Sequence, residues 1–68
     1  MRLGNNLKSV RKARGLTQAN LAELVAVSRK TINTVENGVF VPSTLLALSL
    51  AKELETSVEE LFFLEVGS

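Results

Sequence analysis

Residues 17–37 read TQANLAELVAVSRKTINTVEN and carry the clearest structural pattern in the sequence. Thr17 and Ser28 are each a good N-cap, because a short side-chain oxygen can accept a hydrogen bond from an unpaired N–H of a helix's first turn. They predict two helices, helix two and helix three, joined only by residues 25–28. So short a connection forces a sharp crossing, which is the geometry of a helix-turn-helix.

Apolar positions predict which side of each helix lies inward. Helix two has an apolar side formed by Leu21, Ala22, Leu24 and Val25. The small Ala22 stands where the two helices approach each other closely. Ile32 and Val35 face inward from helix three and, together with Val27, are expected to fill the wedge between the helices.

With Ile32 and Val35 buried, the outward face of helix three follows from positions four residues apart. It carries Arg29, Lys30, Asn33 and Thr34. Arginine and lysine donate to guanine O6 and N7, asparagine matches adenine N6 and N7, and threonine meets a thymine methyl group or a phosphate. Helix-turn-helix proteins place the N-terminal residues of this helix against base edges in the major groove. The alternative is an ordinary solvated helix face, and the preceding turn favours DNA.

The remaining N-caps predict three further helices. Asn5, Ser43 and Ser57 open helices one, four and five, and Glu60 completes a capping-box pattern with Ser57. The apolar stripe of helix one is formed by Leu3, Leu7, Val10 and Ala13. Helix four is the most apolar, so it is expected to lie centrally. Residues 63–66 fit either a helix or a strand.

Length and composition limit the kinds of protein this chain can be. Its 68 residues allow a single domain, 1–68, with a core at about 5–64 and a short tail at 65–68. The chain has no Cys and no His, which excludes disulfides and the usual zinc sites, so we expect no metal and no cofactor. Asp, Tyr and Trp are absent too, which removes most catalytic acids, bases and nucleophiles. An all-α binding protein is expected, not an enzyme.

Charge is distributed unevenly along the chain. Residues 1–34 hold seven basic side chains and one acidic, a net charge of +6, whereas residues 35–68 hold one basic and six acidic, a net charge of −5. Such a chain can present a basic face to phosphates. Chance clustering on solvated helix faces remains the alternative.

No apolar run approaches the length of a membrane-spanning helix, and the N-terminus lacks the apolar stretch of a secretory signal. A soluble, cytoplasmic protein that does not enter a membrane is expected.

An ordered set of short segments extends the pattern over residues 5–64. They are Gly15-Leu16-Thr17-Gln18, Leu21-Ala22-Glu23, Val27-Ser28-Arg29-Lys30-Thr31-Ile32, Val35-Glu36-Asn37-Gly38, Pro42-Ser43, Leu50-Ala51-Lys52 and Val58-Glu59-Glu60-Leu61-Phe62. This set resembles the phage repressor and Cro type of helix-turn-helix, the XRE-like regulator family. The resemblance implies a five-helix, lambda-repressor-like fold. It also implies a transcriptional regulator, most simply a repressor, that binds double-stranded DNA as a homodimer at a palindromic operator.

The resemblance also assigns roles to individual residues. Gln18, at the start of helix two, looks like a residue that contacts a phosphate or a base. Thr31 looks like a DNA contact that lies closer to the protein and points partly inward. The full set expected to meet DNA is Gln18, Ser28, Arg29, Lys30, Thr31, Asn33, Thr34 and Asn37. Arg11 and Glu36 match a pair that forms a buried salt bridge in this family, so Arg11 is expected to be structural.

Three features depart from the family pattern. Ala26 and Glu55 stand where glycine is usual, and a left-handed backbone there would cost about 1 kcal/mol with alanine. The loop at residues 39–41 is apolar where the family is usually polar.

The apolar loop and the C-terminal residues suggest a dimer or partner surface. Its expected members are Phe40, Phe62, Phe63 and Leu64. The alternative for Phe40 is packing under helix four. The alternative for the whole chain is the antitoxin, or protein-interaction module, of a toxin–antitoxin pair.

Overall fold

The computed structural model describes residues 1–67, and Ser68 of the expected tail lies outside the described residues. The chain is mostly helical, as expected, and the five predicted helices are present. In chain order the elements are β1 (Arg2–Asn5), α1 (Leu7–Ala13), α2 (Gln18–Leu24), α3 (Arg29–Glu36), α4 (Thr44–Glu53), α5 (Val58–Leu61) and β2 (Phe62–Glu65).

Side-chain caps begin four of the helices where the sequence predicts them. The side chains of Thr17, Ser28, Ser43 and Ser57 each accept a hydrogen bond from the backbone N–H three residues later. The reciprocal capping box lies at Thr17, because Asn20 also accepts from the Thr17 backbone N–H. At Ser57 the pattern is only half formed, since the Glu60 carboxylate accepts from the Ser57 hydroxyl instead of from the backbone.

The start of the chain differs from the prediction. The N-cap of α1 is Asn6, not Asn5, and it makes no side-chain capping bond. Asn5 bridges two elements instead. Its Oδ1 accepts from the Leu7 N–H at 3.0 Å, and its Nδ2 donates to the Val35 carbonyl at 3.0 Å.

Leu3, expected on the stripe of helix one, lies in a strand. β1 and β2 pair antiparallel, with Leu3 opposite Leu64 and Gly4 opposite Phe63, which resolves the ambiguous end of the chain as a strand. A Cβ at Gly4 would lie 2.4 Å from a ring carbon of Phe63, so only glycine leaves room for that ring.

The core combines residues from the helices and from the start of β2. Its buried apolar members are Leu7, Leu21, Ala22, Ile32, Val35, Leu46, Leu50, Ala51, Leu54, Leu61 and Phe62. The inward positions predicted for α3 are therefore confirmed. Only one side of α4 packs in the core, since Leu45 and Leu48 are 77% and 57% exposed.

Two predicted partner or core positions need correction. Phe62 was expected at a partner surface, but it is 8% exposed and belongs to the core, because it directly follows the buried Leu61 of α5 as the first residue of β2. Leu24 was expected on the apolar side of α2, but it is half exposed.

No helix within residues 1–67 is long and apolar enough to cross a membrane.

In each of the two turns that lack the usual glycine, one residue has a left-handed backbone conformation. Ala26 has φ 58° and Glu55 has φ 55°, close to the φ values of Gly15 and Gly38, 72° and 75°. The side chains at Ala26 and Glu55 therefore cost conformational energy that glycine would not.

We expect Ala26→Gly and Glu55→Gly each to raise the free energy of unfolding by about 1 kcal/mol, because both relieve a strained backbone. Urea denaturation followed by circular dichroism measures the change. The matched control is Ala19→Gly, an exposed residue inside α2, which should lower stability. A gain from the control, or a loss at both turns, would contradict the expectation.

Candidate nucleic-acid interface

The crossing of α2 and α3 is fixed by a short hydrogen-bonded turn. The Val27 N–H donates to the Ala22 carbonyl at 2.9 Å, and the Ala26 N–H donates to the Glu23 carbonyl at 3.2 Å. Left-handed Ala26 reverses the chain between these bonds. Because Ala22 is buried and small, the helices can approach closely there, as the sequence predicts.

Three polar side chains stand outward at the beginning and middle of α3. Arg29, Lys30 and Asn33 are exposed and line one shallow concavity. The fourth expected reader, Thr34, is only partly exposed, and its hydroxyl donates to the Thr31 carbonyl at 3.0 Å. Thr34 therefore leaves its methyl group and an acceptor oxygen for other contacts.

Ser28 and Thr31 form the frame at the start of α3. The Ser28 Oγ accepts from the Thr31 backbone N–H at 3.2 Å and lies 2.9 Å from the Thr31 hydroxyl oxygen. Both hydroxyls are exposed, or partly so, at the helix start. Their first role is to hold the first turn of α3, and any contact to DNA would come in addition.

Arg11 and Glu36 form a buried ion pair that joins α1 to α3. Arg11 Nε donates to Glu36 Oε2 at 2.6 Å and Nη2 donates to Oε1 at 3.2 Å. Nη1 donates to the Leu16 carbonyl at 2.8 Å, so the guanidinium also holds the loop before α2. The side chains are 7% and 2% exposed. Arg11 is therefore unavailable to phosphates, as expected from its match to the family's pair.

Burial by itself would raise the pKa of the Glu36 carboxyl. Hydrogen bonds from Arg11 and Gln18 outweigh it, with help from the charges of Arg11 and Lys8, and hold the pKa below its ordinary value of 4.5. Glu36 is therefore ionised at neutral pH.

Gln18 connects this ion pair to the outer face of α3. Its Nε2 donates to Glu36 Oε1 at 2.9 Å and to Asn33 Oδ1 at 3.2 Å. Asn37 Nδ2 donates to the same Asn33 oxygen at 3.4 Å. Because both N–H groups of Gln18 are used within the protein, neither is left for a phosphate oxygen. The phosphate role expected for its side chain would require breaking these bonds.

Arg14 is a structural residue that sequence reasoning did not identify. Its Nε donates to the Leu54 carbonyl at 2.9 Å, and its Nη2 donates to the Glu55 carbonyl at 3.4 Å. It thereby satisfies carbonyls at the end of α4. No local signal points to this role, since Leu54 and Glu55 are far away along the sequence.

The expected partner residues lie in two places. Phe40 is 47% exposed and its loop is held to α3, because the Val39 and Phe40 N–H groups both donate to the Thr34 carbonyl. Phe40 also lines a hollow with Val27 and Leu46, so it lies near α4 without being buried under it. The others are in β2, where Phe63 and Leu64 are 40% and 65% exposed.

Residues 1–67 contain no cluster of potential metal ligands.

Residues 7–61 match the helix-turn-helix family HTH_3. The chain belongs to the helix-turn-helix family of XRE-like transcriptional regulators. The resemblance inferred from the sequence is confirmed.

Individual relatives agree with this assignment. YgzD of Bacillus subtilis, an HTH-type transcriptional regulator, is 41% identical over 61 residues, which cover 90% of this chain and 92% of that protein. The restriction-modification controller protein C.AhdI from Aeromonas hydrophila has a similar structure. Its TM-score is 0.75 and its identity 35%, over 79% of this chain and 82% of that chain. The antitoxin PezA of Streptococcus pneumoniae is 36% identical over 81% of this chain, which spans 35% of PezA.

We expect Arg11→Met to lower the free energy of unfolding of this helix-turn-helix domain by about 3–5 kcal/mol, because it leaves the Glu36 charge buried without its partner. A domain this small has little more stability than that to lose. The double variant Arg11→Met/Glu36→Leu should recover most of the loss, since an apolar pair leaves no unpaired charge. Urea unfolding of both variants measures this. Equal losses in the single and double variants would show that the unpaired charge is not the cause.

Proposed function

We propose that the protein is a sequence-specific, double-stranded DNA-binding transcriptional regulator that inserts α3 into the major groove. The observation that carries the proposal is the exposed trio Arg29, Lys30 and Asn33 on a helix fixed by the α2–α3 crossing. Side chains at the start of such a helix are the ones that reach base edges. The similarity to proteins named as HTH-type transcriptional regulators supports the same role.

The proposed contacts divide into base readers and groups that position the protein. Arg29 and Lys30 are exposed cations suited to guanine O6 and N7, and the Thr34 methyl is suited to a thymine methyl. Ser28, Thr31 and Asn37 lie at the two ends of α3 and are proposed to meet the DNA backbone.

Repression is the simplest form of regulation for such a chain, because it requires only that a promoter be occupied. The proposed activity is binding, without catalysis. Its proposed place is the cytoplasm, where a regulator of this kind would reach its DNA.

A homodimer on a palindromic operator is the proposed assembly. An apolar groove runs between α4, α5 and β1, with Leu3, Leu48 and Phe62 in its lining. Leu64 pairs with Leu3, and paired residues share a face of the sheet, so Leu64 extends this groove.

The rim of the groove carries Lys52 and Glu59, both exposed. Neither joins an ion pair within residues 1–67. A second copy related by a two-fold axis would offer the opposite charge to each. On a palindromic operator, the two α3 helices of a dimer would enter half-sites about 34–36 Å apart.

A protein-interaction module remains the second candidate, as in the antitoxin alternative. Two observations favour it: the exposed apolar loop at residues 39–41 and the similarity to the antitoxin PezA. In that case the same groove or loop would receive a different protein. Weak, salt-sensitive DNA binding without sequence preference would support this candidate over the first.

The DNA proposal is tested by selecting bound sequences from random duplex DNA at near-physiological salt. We expect a short palindrome to be enriched. Arg29→Ala should relax the preference at one base pair of each half-site and cost about 1–3 kcal/mol at the cognate site. Lys12→Ala, which removes an equal charge from an exposed position on α1, should change affinity without changing sequence preference. The same altered preference in both variants would contradict the role of Arg29.

The assembly is tested by sedimentation equilibrium over a range of protein concentrations. We expect a monomer–dimer equilibrium that Leu48→Glu shifts strongly towards monomer, because a charge in an apolar interface cannot be solvated. Leu24→Glu is the matched control, since Leu24 is similarly exposed but lies on α2, away from the groove. A purely monomeric wild-type protein at high micromolar concentration would refute the dimer.

A further inference from the structure

A continuous chain of hydrogen bonds runs from the buried ion pair to the surface of α3. Arg11 donates to Glu36, Gln18 donates to Glu36 and to Asn33, and Asn37 donates to Asn33. This series of hydrogen bonds begins at Glu36, whose side chain is 2% exposed. It ends at Asn33, in the middle of the exposed face of α3.

The ion pair determines the direction of every bond in this chain. A guanidinium only donates and a carboxylate only accepts. Gln18 must therefore turn its amide nitrogen, not its oxygen, towards Glu36, because an amide oxygen there would face a negative charge. The second N–H of that nitrogen then points at Asn33 and requires an acceptor. Asn33 meets it with Oδ1, so the orientation of its amide is set as well.

The consequence is that Asn33 presents a donor to its surroundings. Its Oδ1 accepts from Gln18 at 3.2 Å and from Asn37 at 3.4 Å, which occupies both lone pairs. Among residues 1–67, no acceptor takes the two N–H groups of its Nδ2. These hydrogens remain available on the exposed face.

Adenine and guanine require different hydrogen-bonding groups from a side-chain amide. Adenine N6 and N7 together require one acceptor and one donor, whereas guanine O6 and N7 both accept. We infer that Asn33 reads a guanine by donating from Nδ2, and that Gln18 is the positioning residue that denies Asn33 the paired contact to adenine N6 and N7. This inference rests on the proposed function. It replaces the adenine contact that the residue type alone suggests.

The test uses the same selection from random duplex DNA with three proteins. Asn33→Ala identifies the base pair that Asn33 reads, as the pair whose preference disappears. In the wild-type protein that pair should be G·C, favoured over A·T by roughly tenfold or more. Gln18→Met keeps the length of the side chain but cannot donate, so it frees the lone pair of Asn33 Oδ1 that Gln18 occupies. At that pair it should reduce the preference for G·C or turn it to A·T, with the other pairs unchanged.

A second measurement does not depend on the folding of the Gln18 variant. Replacing the guanine at that pair by 7-deazaguanine removes the N7 acceptor. The wild-type protein should bind this duplex several-fold more weakly, whereas Asn33→Ala should bind both duplexes alike.

The failures are distinguishable. A palindrome with A·T at the Asn33 position, equal weakening of both proteins by 7-deazaguanine, or no change on Asn33→Ala would overturn this inference and leave the DNA-binding proposal intact. Enrichment of no sequence at all would overturn both.

Discussion

The bidentate ion pair of Arg11 and Glu36 holds the helices around it in place. It joins α1 to the last turn of α3, and the third guanidinium nitrogen holds the loop ahead of α2 through the Leu16 carbonyl. One side chain therefore fixes α1, α3 and the loop before α2 relative to one another. Removing either charge would leave the other buried and unpaired, which costs more than any single surface contact.

Packing and polarity act together around this pair. Ile32 and Val35 seat α3 in the core, and their burial decides that Arg29, Lys30 and Asn33 face outward. Caps at Thr17 and Ser28 set where α2 and α3 begin, and a left-handed residue sets the angle between them. The apolar contacts thus orient the recognition helix as a rigid body, while the polar contacts orient individual side chains on it.

Local chemistry could be predicted from the sequence, and the Arg11–Glu36 pair from the family resemblance, but the pairing of the two ends of the chain could not. Caps at Thr17, Ser28, Ser43 and Ser57 follow from short-range rules, and so does the inward face of α3. The strand pair depends on contacts between the two ends of the chain. The residues near Leu3 therefore gave no sign that Leu3 lies in a strand and not in helix one. Phe62 was misplaced for the same reason, since a phenylalanine in an ambiguous segment does not reveal which strand face it will occupy. The network through Gln18 needed the positions of three elements at once.

Stability alone does not account for the buried ion pair, because an apolar pair of similar volume is often equally stable. An apolar pair would, however, leave Gln18 without a fixed acceptor. Its amide could then turn either way, and the exposed amide of Asn33 could follow. The carboxylate of Glu36 removes this freedom, because it accepts and never donates at neutral pH. A charge in the core therefore gives direction to a polar group on the surface, because the Glu36 carboxylate orients Gln18, and Gln18 orients Asn33.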